Sequence, residues 1–428
     1  MSRAMKDSGI PWIGEIPCHW EIQRLQTQLY ELNEKNTPIK TDYVLSLTNT
    51  RGVIPYTEKG DVGNKAKENH EEYKIAYPNT IVANSMNILI GSVGICNYYG
   101  CVSPVYYILK ERSGTDLRFY NYVLSCVPFQ KHLRQYANGI LEIRLRLSCK
   151  DILQRRVPTP SYLEQQSIAD FLDKKCGEID EMVSLQEKIV EELKAYKQSV
   201  ITEAVCKGLN PDVPMKDSGI EWIGQIPEGW KVSRVGLHYS IILGKMLCDK
   251  PIEGGALVPY FCAANVHFDG IGAEELKRMW FSKEEQEKYR VQVGDLLVVE
   301  GGAGAGGCAI VHNLSHNTFI QNSIMIVRSV SHDCRFLKYL LERLVKQGYV
   351  DYVCNKATIP HFTKDKLSQV PFAFPSREEQ QDIADYLDTK CTEINILISV
   401  RQAKIEALKE YKKSIIYEYI TGKKEING

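Results

Sequence analysis

Several features that would assign a function at once are missing from this chain of 428 residues. No apolar run is long enough to cross a membrane, and no charged segment followed by an apolar one marks a secretion signal at the N-terminus. The thirteen cysteines are scattered without a C-x-x-C pair, which is typical of reduced and mostly buried side chains rather than of disulfides. Together these absences predict a cytoplasmic protein.

Catalytic signatures are missing as well. The chain has no Asp/Asn-Pro-Pro-aromatic motif of an amino-methyltransferase and no helicase or nuclease motif. The segment 301–307 reads G-G-A-G-A-G-G, but it lacks the Gly-Lys-Ser/Thr of a phosphate-binding loop, and no helix-forming run follows it. The pattern favours a tight turn between strands, with a nucleotide-binding loop as the alternative.

A metal site has little support in the sequence. Cys308, His312 and His316 have a spacing that suits zinc. A structural zinc site needs four ligands, however, and no fourth is evident. We therefore expect neither a metal nor a cofactor on this chain.

The charge of the chain is balanced overall, with 53 basic and 53 acidic side chains, which taken alone argues against nucleic acid. The distribution along the chain is uneven, however. Residues 21–160 contain 18 basic and 13 acidic side chains, residues 231–375 contain 17 and 14, and residues 161–208 contain 6 and 10. Two mildly basic segments that alternate with acidic ones favour a surface that faces DNA.

The chain is an internal duplication. Met5–Trp20 are repeated as Met215–Trp230 at an offset of 210 residues, and these two segments hold four of the five tryptophans. Glu164–Cys176 are repeated as Glu379–Cys391 at an offset of 215. The period is too long for a solenoid, so each copy is predicted to be a domain with an accessory element. A duplicated chain can behave as a two-fold dimer within one molecule, which predicts a bipartite partner.

Each copy ends in a predicted long helix. From Glu164 and from Glu379, apolar residues recur three and four positions apart, as in the seam of a coiled coil. The predicted seam comprises positions 168, 172, 179, 182, 189, 193, 196 and 200 in the first helix, and 383, 387, 394, 397, 408, 411 and 415 in the second. Each helix would be roughly 60 Å long. We predict an antiparallel intramolecular pair, and a solvated charged arm is the alternative.

The segments between the helices are predicted to be mixed α/β. Short β-rich runs follow the same order in both copies, although their sequences have diverged: Tyr43–Leu47, Ile81–Ala83 and Val105–Leu109, then Leu257–Phe261, Asp295–Val299 and Ile324–Val327. Shared partners require like surfaces and different ligands require unlike ones. The helices are therefore predicted to bind a common partner, and the domains different ligands.

These motifs resemble a known family. The twin K-D-S-G-I-x-W-I-G-x-I-P segments, the twin P…E-Q-Q-x-I-A-D helix starts, and the endings 203–205 and 418–422 are similar to those of specificity subunits of Type I restriction–modification systems. The resemblance covers the whole chain in order. One departure is that the first copy ends in Cys-Lys-Gly at 206–208, where the second has Thr-Gly-Lys at 421–423.

The resemblance implies a non-catalytic subunit whose two target-recognition domains each read one half of a split site in double-stranded DNA. The conserved helices would set the gap and dock two methyltransferase (modification) subunits, which carry S-adenosylmethionine. Restriction subunits that translocate and cleave DNA, using ATP, would join that core. The implied architecture is two α/β (α+β) domains joined by an antiparallel coiled coil with pseudo-two-fold symmetry. The expected boundaries are 1–20, 21–160, 161–208, 209–230, 231–375 and 376–428.

Basic side chains and histidines of the two domains are the candidates for DNA contacts. They are Arg51, Lys59, Lys65, Lys67, Arg144, Arg146, Lys245, His267, Lys277, Arg278, Lys356, His361 and Lys364. The candidates on the partner-docking helices are Ile168, Leu172, Ile179, Leu193, Tyr196, Ile383, Leu387, Ile394, Leu408 and Tyr411. Two functions of other classes stay open from the residues alone. One is an enzyme that binds a nucleotide or methyl donor at 301–307, and the other is a coiled-coil organiser that binds only protein.

Overall fold

The computed structural model describes residues 3–48, 51–60, 66, 69–137, 146–272, 275–354 and 360–426. It divides into two compact units: unit 1 comprises Met1–Glu187 and Gln402–Gly428, and unit 2 comprises Lys188–Arg401. The two long helices each contribute one half to each unit. Among the described helices, none combines the length and the apolar character that a membrane span needs.

Unit 1 contains twelve strands in its described part. They are β1 Met5–Asp7, β2 Glu15–Pro17, β3 Glu21–Arg24, β4 Leu29–Leu32, β5 Leu45–Thr48, β6 Gly52–Pro55, β7 Lys74–Ala76, β8 Thr80–Asn84, β9 Val93–Cys96, β10 Gly100–Val102, β11 Tyr106–Glu111 and β12 Arg156–Thr159. The helices that begin in this unit are α1 Leu117–Ser125, α2 Val127–Leu133, α3 Cys149–Leu153 and α4 Tyr162–Lys207.

The elements of unit 2 follow those of unit 1 along the chain. Its strands are β13 Met215–Asp217, β14 Gln225–Pro227, β15 Lys231–Arg234, β16 Ser240–Leu243, β17 Ala256–Phe261, β18 Val266–His267, β19 Gly270–Ile271, β20 Lys277–Phe281, β21 Leu296–Val299, β22 Cys308–Ile310, β23 Phe319–Ile320, β24 Ile324–Arg328 and β25 Pro371–Phe374. Its helices are α5 Lys283–Tyr289, α6 Cys334–Lys346, α7 Tyr349–Val353, α8 Lys364–Gln369 and α9 Arg377–Ile420.

The two units are built on the same sheet. Unit 1 has a four-stranded antiparallel sheet in the order β4-β11-β8-β9, and unit 2 has one in the order β16-β24-β21-β22. The central strands β8 and β21 are buried along their whole length, which explains their uninterrupted apolar runs. The six predicted β-runs fall on strands of this architecture, and the mixed α/β prediction is confirmed.

The units differ in the strands added to that sheet. Unit 1 adds the hairpin β5–β6 and the pair β7–β10. Unit 2 adds a three-stranded sheet in the order β20-β17-β23, in which β17 and β23 are parallel, and the short hairpin β18–β19.

The long helices pack in opposite directions within each unit. In unit 1, the Phe171 and Tyr419 rings lie 4.3 Å apart, and further along α4 the Lys412 ammonium lies 2.7 Å from the Asp180 carboxylate. In unit 2, Lys197 donates a hydrogen bond of 3.1 Å to the Asn395 side chain. The partner residue moves back along α9 as α4 advances, so the helices are antiparallel there. The supercoil and the pseudo-two-fold relation stay predictions.

The register of the predicted seam needs a correction. Met182, Tyr196, Leu397 and Tyr411 are exposed, so their assignment to the seam was wrong. The buried side slips by one residue after Ile179, and Gln186 and Val190 occupy it. Adjacent apolar residues such as Met182 and Val183 allow either register in the sequence, and only the packing of the helices decides between them.

Candidate nucleic-acid interface

A cluster of charged side chains fixes the recognition domain of unit 1 to the long helix α4. Asp116 begins α1, where its carboxylate accepts hydrogen bonds from the backbone N–H groups of Arg118 and Phe119. The Arg118 guanidinium then bridges three carboxylates, lying 2.9 Å from Asp116, 2.7 Å from Asp170 and 2.9 Å from Asp173. These hydrogen bonds, that to Asp116 first, raise the pKa of Arg118 above its usual range.

Two further side chains complete this junction. The Tyr122 hydroxyl donates to Asp173 at 2.7 Å. The buried Gln165 side chain accepts from the backbone N–H of Asp116 at 2.9 Å and donates to the carbonyl of Pro160 at 3.0 Å. We call Asp116, Arg118, Tyr122, Gln165, Asp170 and Asp173 the junction cluster of unit 1.

Unit 2 builds the same junction cluster from Asp333, Arg335, Tyr339, Gln380, Asp385 and Asp388. Arg335 lies 2.8 Å from Asp333, 2.6 Å from Asp385 and 3.0 Å from Asp388. The Tyr339 hydroxyl donates to Asp388 at 2.6 Å. The two clusters match contact for contact, and in each the guanidinium joins the start of a domain helix to two carboxylates on the long helix.

The sequence carries a short signal for this cluster. Residues 116–122 read D-L-R-F-Y-N-Y and residues 333–339 read D-C-R-F-L-K-Y, which share a D-x-R-F-x-x-Y pattern. The offset is 217 residues rather than 210 or 215. The four identical positions fall within segments that otherwise look unrelated, so the pattern predicts little until the fold is known.

The twin tryptophan segments anchor to the same helices. Trp20 donates from its indole N–H to the Glu164 carboxylate at 3.1 Å, and Trp230 donates to Glu379 at 3.1 Å. Both rings are buried. These two tryptophans therefore anchor the packing and are not exposed for stacking on bases.

The structure places three of the six DNA-contact candidates of unit 1. Arg51 is exposed beside the β5–β6 hairpin, where it pairs with Glu58 at 2.6 Å. Lys59 is half-buried, and its ammonium lies 5.3 Å from the centre of the Tyr56 ring. Arg146 is exposed between the sheet and α3. Lys65, Lys67 and Arg144 lie outside the described residues.

Lys245 in unit 2 lies in a less accessible place than the sequence suggests. Its side chain is only 10% exposed and forms an ion pair with Glu285, and its ammonium lies 5.3 Å from the centre of the Phe281 ring. A phosphate that binds Lys245 would have to compete with this carboxylate. Its contact with DNA stays a prediction.

The other described candidates of unit 2 are exposed. Lys277 and Arg278 are neighbours on β20, and His267 lies on β18. Lys364 begins α8, and His361 forms an isolated antiparallel bridge with Gly301. The structure thus brings His361 next to the glycine-rich segment, although the two are far apart in sequence. Lys356 lies outside the described residues.

The glycine-rich segment 301–307 is the turn of a hairpin between β21 and β22, as the favoured interpretation predicted. Several of its amides donate within the protein: Gly306 to the Val299 carbonyl at 2.9 Å, Gly307 to that of Gly304 at 2.8 Å and Gly302 to that of Pro360 at 3.2 Å. A phosphate loop needs free amides that converge on the ligand. The geometry does not favour a nucleotide site there.

Cys308, His312 and His316, whose spacing suits zinc, do not form a metal site in the structure. Cys308 is buried, and burial raises the pKa of its thiol well above the usual value, with the sulfur facing the carbonyl of Lys338 at 3.7 Å. His312 and His316 are exposed. In the part of the chain that the structure describes, no three His, Cys, Asp or Glu side chains are grouped as metal ligands.

Comparison with known proteins assigns the fold and the family. The chain matches the family model described as "Type I restriction modification DNA specificity domain" twice, over residues 17–198 and 227–407. The "Type I restriction enzyme EcoKI specificity subunit" of Escherichia coli (strain K12) is 24% identical over 183 residues, which is 41% of this chain and 37% of that protein. That match therefore spans little more than a third of the relative's length.

Two solved structures share the fold. One, from a study of complex assembly and conformational transition of the type I R-M system, has a TM-score of 0.72 at 15% identity, covering 95% of this chain and 98% of that chain. The HsdS subunit from Thermoanaerobacter tengcongensis has a TM-score of 0.51 at 16% identity, with the same coverage. Since the family model covers most of the sequence, the chain belongs to the family of Type I restriction–modification specificity subunits and carries two copies of its DNA specificity domain.

Proposed function

We propose that this chain reads a bipartite site in double-stranded DNA, one half-site for each unit. Members of the family are non-catalytic DNA-recognition subunits. The observation that carries the proposal is the contrast within the repeat. The central sheet and the junction cluster coincide in the two units, whereas the added strands differ. Two domains that read different half-sites need the same framework to hold them and different surfaces to contact DNA.

Base reading would take place in the major groove, where donor and acceptor patterns distinguish all base pairs. In unit 2, Lys277 and Arg278 on β20 and His267 on β18 are exposed. In unit 1, Arg51 is exposed beside the β5–β6 hairpin. Side chains at these added strands are the ones we expect to specify bases or position phosphates.

The long helices would set the gap between the half-sites. The junction clusters tie α1 to α4 in unit 1 and α6 to α9 in unit 2 through Arg118 and Arg335. Because each guanidinium contacts two carboxylates on the long helix, the domain cannot rotate on it without loss of ionic contacts. The orientation of each reader is thus coupled to its helix.

The same helices would dock two modification subunits, which carry S-adenosylmethionine. Restriction subunits, which use ATP, would join this complex in the cytoplasm. Six of the ten predicted docking residues are buried, so they pack the helices against the cores of their units. They are Ile168, Leu172, Ile179, Ile383, Leu387 and Ile394. Leu193 and Leu408 are half-buried, and Tyr196 and Tyr411 are exposed. Only the exposed and half-buried residues can offer atoms to a partner.

Exchange of one recognition domain tests this function. Residues 21–160 are replaced by the corresponding segment of a related specificity subunit, while the junction residues Asp116, Arg118 and Tyr122 are retained. Methylated sites are then mapped by sequencing the DNA of cells that express the chimera with its modification subunit. We expect one half-site to change and the other half-site and the gap to persist, since separated base contacts contribute roughly additively, at about 1–3 kcal/mol for each mismatched pair.

The matched control exchanges residues 231–375 instead and should change the opposite half-site. Loss of both half-sites in a folded chimera that still binds its partner would contradict independent reading. Methylation that does not depend on any bipartite sequence would contradict the function as a whole.

A further inference from the structure

Two histidine rings of unit 2 lie against each other beside the junction cluster. The centres of the His238 and His332 rings are 4.5 Å apart, and the rings are inclined by 61°. His238 ends a 3₁₀ turn just before the edge strand β16, and His332 directly precedes Asp333, which begins α6. We call His238 and His332 the histidine pair. It joins the edge of the central sheet to the first residue of the junction cluster.

The histidine pair is partly removed from water. The Phe374 ring on β25 lies 4.4 Å from the His238 ring and 5.2 Å from the His332 ring, and both histidines are half-buried. Nε2 of His238 lies 2.8 Å from the Ser233 hydroxyl, and Nδ1 of His332 lies 2.9 Å from the Ser331 hydroxyl. A hydroxyl can donate to a neutral imidazole or accept from a charged one. These contacts therefore allow either protonation state.

A positive side chain faces the pair from the long helix. Arg377, the first residue of α9, donates to the carbonyl of Val330 at 2.9 Å. Burial, the neighbouring His238 ring and the Arg377 guanidinium, in that order, lower the pKa of His332 from its usual value of 6.5. The folded form of unit 2 thus favours the neutral His332 ring.

The other titratable groups around the pair do not compensate a charge on it. Burial raises the pKa of the Tyr239 hydroxyl, and it raises the pKa of the Cys334 thiol to about 11, so both stay neutral. The nearby carboxylates have cations of their own, which they would have to leave in order to neutralise a charged imidazole. These pairs are Asp333 with Arg335, and Asp295 with Arg328, which line the same cavity as His238.

Unit 1 closes the corresponding place with groups that do not ionise. At the offset of 210 residues, His238 corresponds to Gln28, and at the offset of 217, His332 corresponds to Thr115. The Thr115 hydroxyl donates to the Gln28 side chain at 3.0 Å, and both residues are buried. The contact between sheet edge and helix start is thus kept in both units, but only the contact of unit 2 can change its charge near neutral pH.

We propose that the histidine pair is an acid-sensitive contact that releases the start of α6 from the sheet in unit 2, while the Gln28–Thr115 contact of unit 1 persists. Protonation of both rings places two positive charges beside Arg377. The segment 329–332, which has no regular secondary structure, is the part that yields. Because Asp333 follows it directly, this movement also weakens the junction cluster of unit 2.

The direction of the pH effect follows from the lowered pKa of His332. The open form, in which this pKa returns towards 6.5, binds a proton more readily than the closed form. The contact therefore contributes its full stability above about pH 6.5 and loses it as the pH falls below that value. Uptake of one proton on opening makes the open form up to about tenfold more populated for each unit of pH.

Hydrogen–deuterium exchange of the full chain, followed by mass spectrometry, tests the opening. After correction for the intrinsic exchange rate at each pH, residues 329–337 should lose protection about tenfold between pH 7 and pH 5, and the matching residues 112–120 of unit 1 should not. His238→Gln combined with His332→Thr gives unit 2 the pair of unit 1 and should remove the pH effect. His316→Gln removes an exposed histidine elsewhere in unit 2 and should leave the effect unchanged.

A single variant keeps the test decisive if the double variant folds poorly. His332→Gln removes the charge from one ring and should also reduce the pH effect. Equal loss of protection in the two units, or a loss in unit 2 that neither the double variant nor His332→Gln alters, would overturn the proposal.

DNA binding separates this inference from the function proposed above. If unit 2 reads one half-site, acidification should weaken binding of the assembled complex to its site more for the wild type than for the double variant, as measured by fluorescence anisotropy. The same pH dependence for both would overturn the link between the histidine pair and reading. A complex that binds no bipartite site at pH 7 would refute the proposed function and leave the exchange result standing.

Discussion

The shared framework and the added strands of the two units contrast in how they are packed. The large core of each unit includes both the tryptophan segment and the long helices. Some residues of the added strands form small cores of their own: Tyr73, Ile75 and Cys101 in unit 1, and Tyr260, Met279, Phe281 and Phe319 in unit 2. Other residues of these strands pack on the central sheet, as Leu45 does with Val82 in unit 1 and Phe261 with Leu297 in unit 2. We therefore expect substitutions in the small cores to disturb the framework less than substitutions in the large cores.

The largest expected effect is on the free energy of unfolding, which should fall more for a substitution in the framework than for one in the added strands. Trp230→Ala should lower the free energy of unfolding by about 3–5 kcal/mol, because it empties a buried ring site and leaves Glu379 without its indole donor. Trp280→Ala, at a half-buried position of β20, should cost about 1 kcal/mol. Urea denaturation of the full chain measures both. Equal costs would show that the added strands are as integral to the core as the framework.

The junction clusters should come next. Arg335→Met leaves Asp333, Asp385 and Asp388 without their shared cation and should cost about 2 kcal/mol in urea denaturation. We also expect methylation at sites whose gap is one base pair longer or shorter, with unchanged half-sites. Arg118→Met is the matched variant in unit 1. A change in base preference within a half-site would mean that the cluster shapes the reading surface rather than the orientation.

The added strands should respond in DNA affinity rather than in stability. Arg278→Ala should weaken binding of the assembled complex to its site and reduce the slope of log affinity against log salt by about 1, because one phosphate contact is lost. Lys245→Met should reduce that slope less, since this lysine is paired with Glu285. Fluorescence anisotropy over a range of salt concentrations measures the slope, and an equal reduction for Lys245→Met would show that the ion pair does not limit its contact with DNA.

The smallest effect distinguishes the two tryptophan segments. Burial favours the neutral form of Glu164, but hydrogen bonds from His19, Trp20 and Ser161 outweigh it and lower the pKa of this carboxyl from 4.5 to about 2. Arg3 lies 2.7 Å from it as well. The folded protein therefore holds the carboxylate more strongly than the unfolded chain does. This contribution is complete above pH 4.5 and is lost as the pH falls towards 2.

We expect Glu164→Gln to cost up to about 1 kcal/mol at pH 7, since the site is partly open to solvent, and the cost should shrink in urea denaturation at pH 3. Glu379→Gln is the matched control, because Gly229 replaces His19 beside it and Val213 replaces Arg3. A cost for Glu164→Gln that stays the same between pH 7 and pH 3 would show that the ionic contacts contribute nothing.

The repeated segments predicted the framework of the two units, but ion pairs between residues that are distant in the chain could not be predicted. The identities at Met5–Trp20 and Glu164–Cys176 located the framework, and the short apolar runs located the central strands, because strand burial leaves a local pattern. The ion pair of Lys245 could not be predicted, since its partner Glu285 is 40 residues away. The junction clusters were missed because their carboxylates come from separate elements, and chain separation hides such a network until the fold brings it together.

The division of the chain has a consequence for its synthesis. Unit 2 is one continuous segment, whereas unit 1 takes Ile415 and Ile420 of α9 into its core and packs Gly422 against Pro17 and Trp20. On the ribosome, domains generally fold from the N-terminus onwards. Here the first residues to emerge must wait for the last ones, so the middle of the chain can close before its beginning. A chain that ends at residue 401 contains all of unit 2 but lacks the part of α9 that completes the core of unit 1.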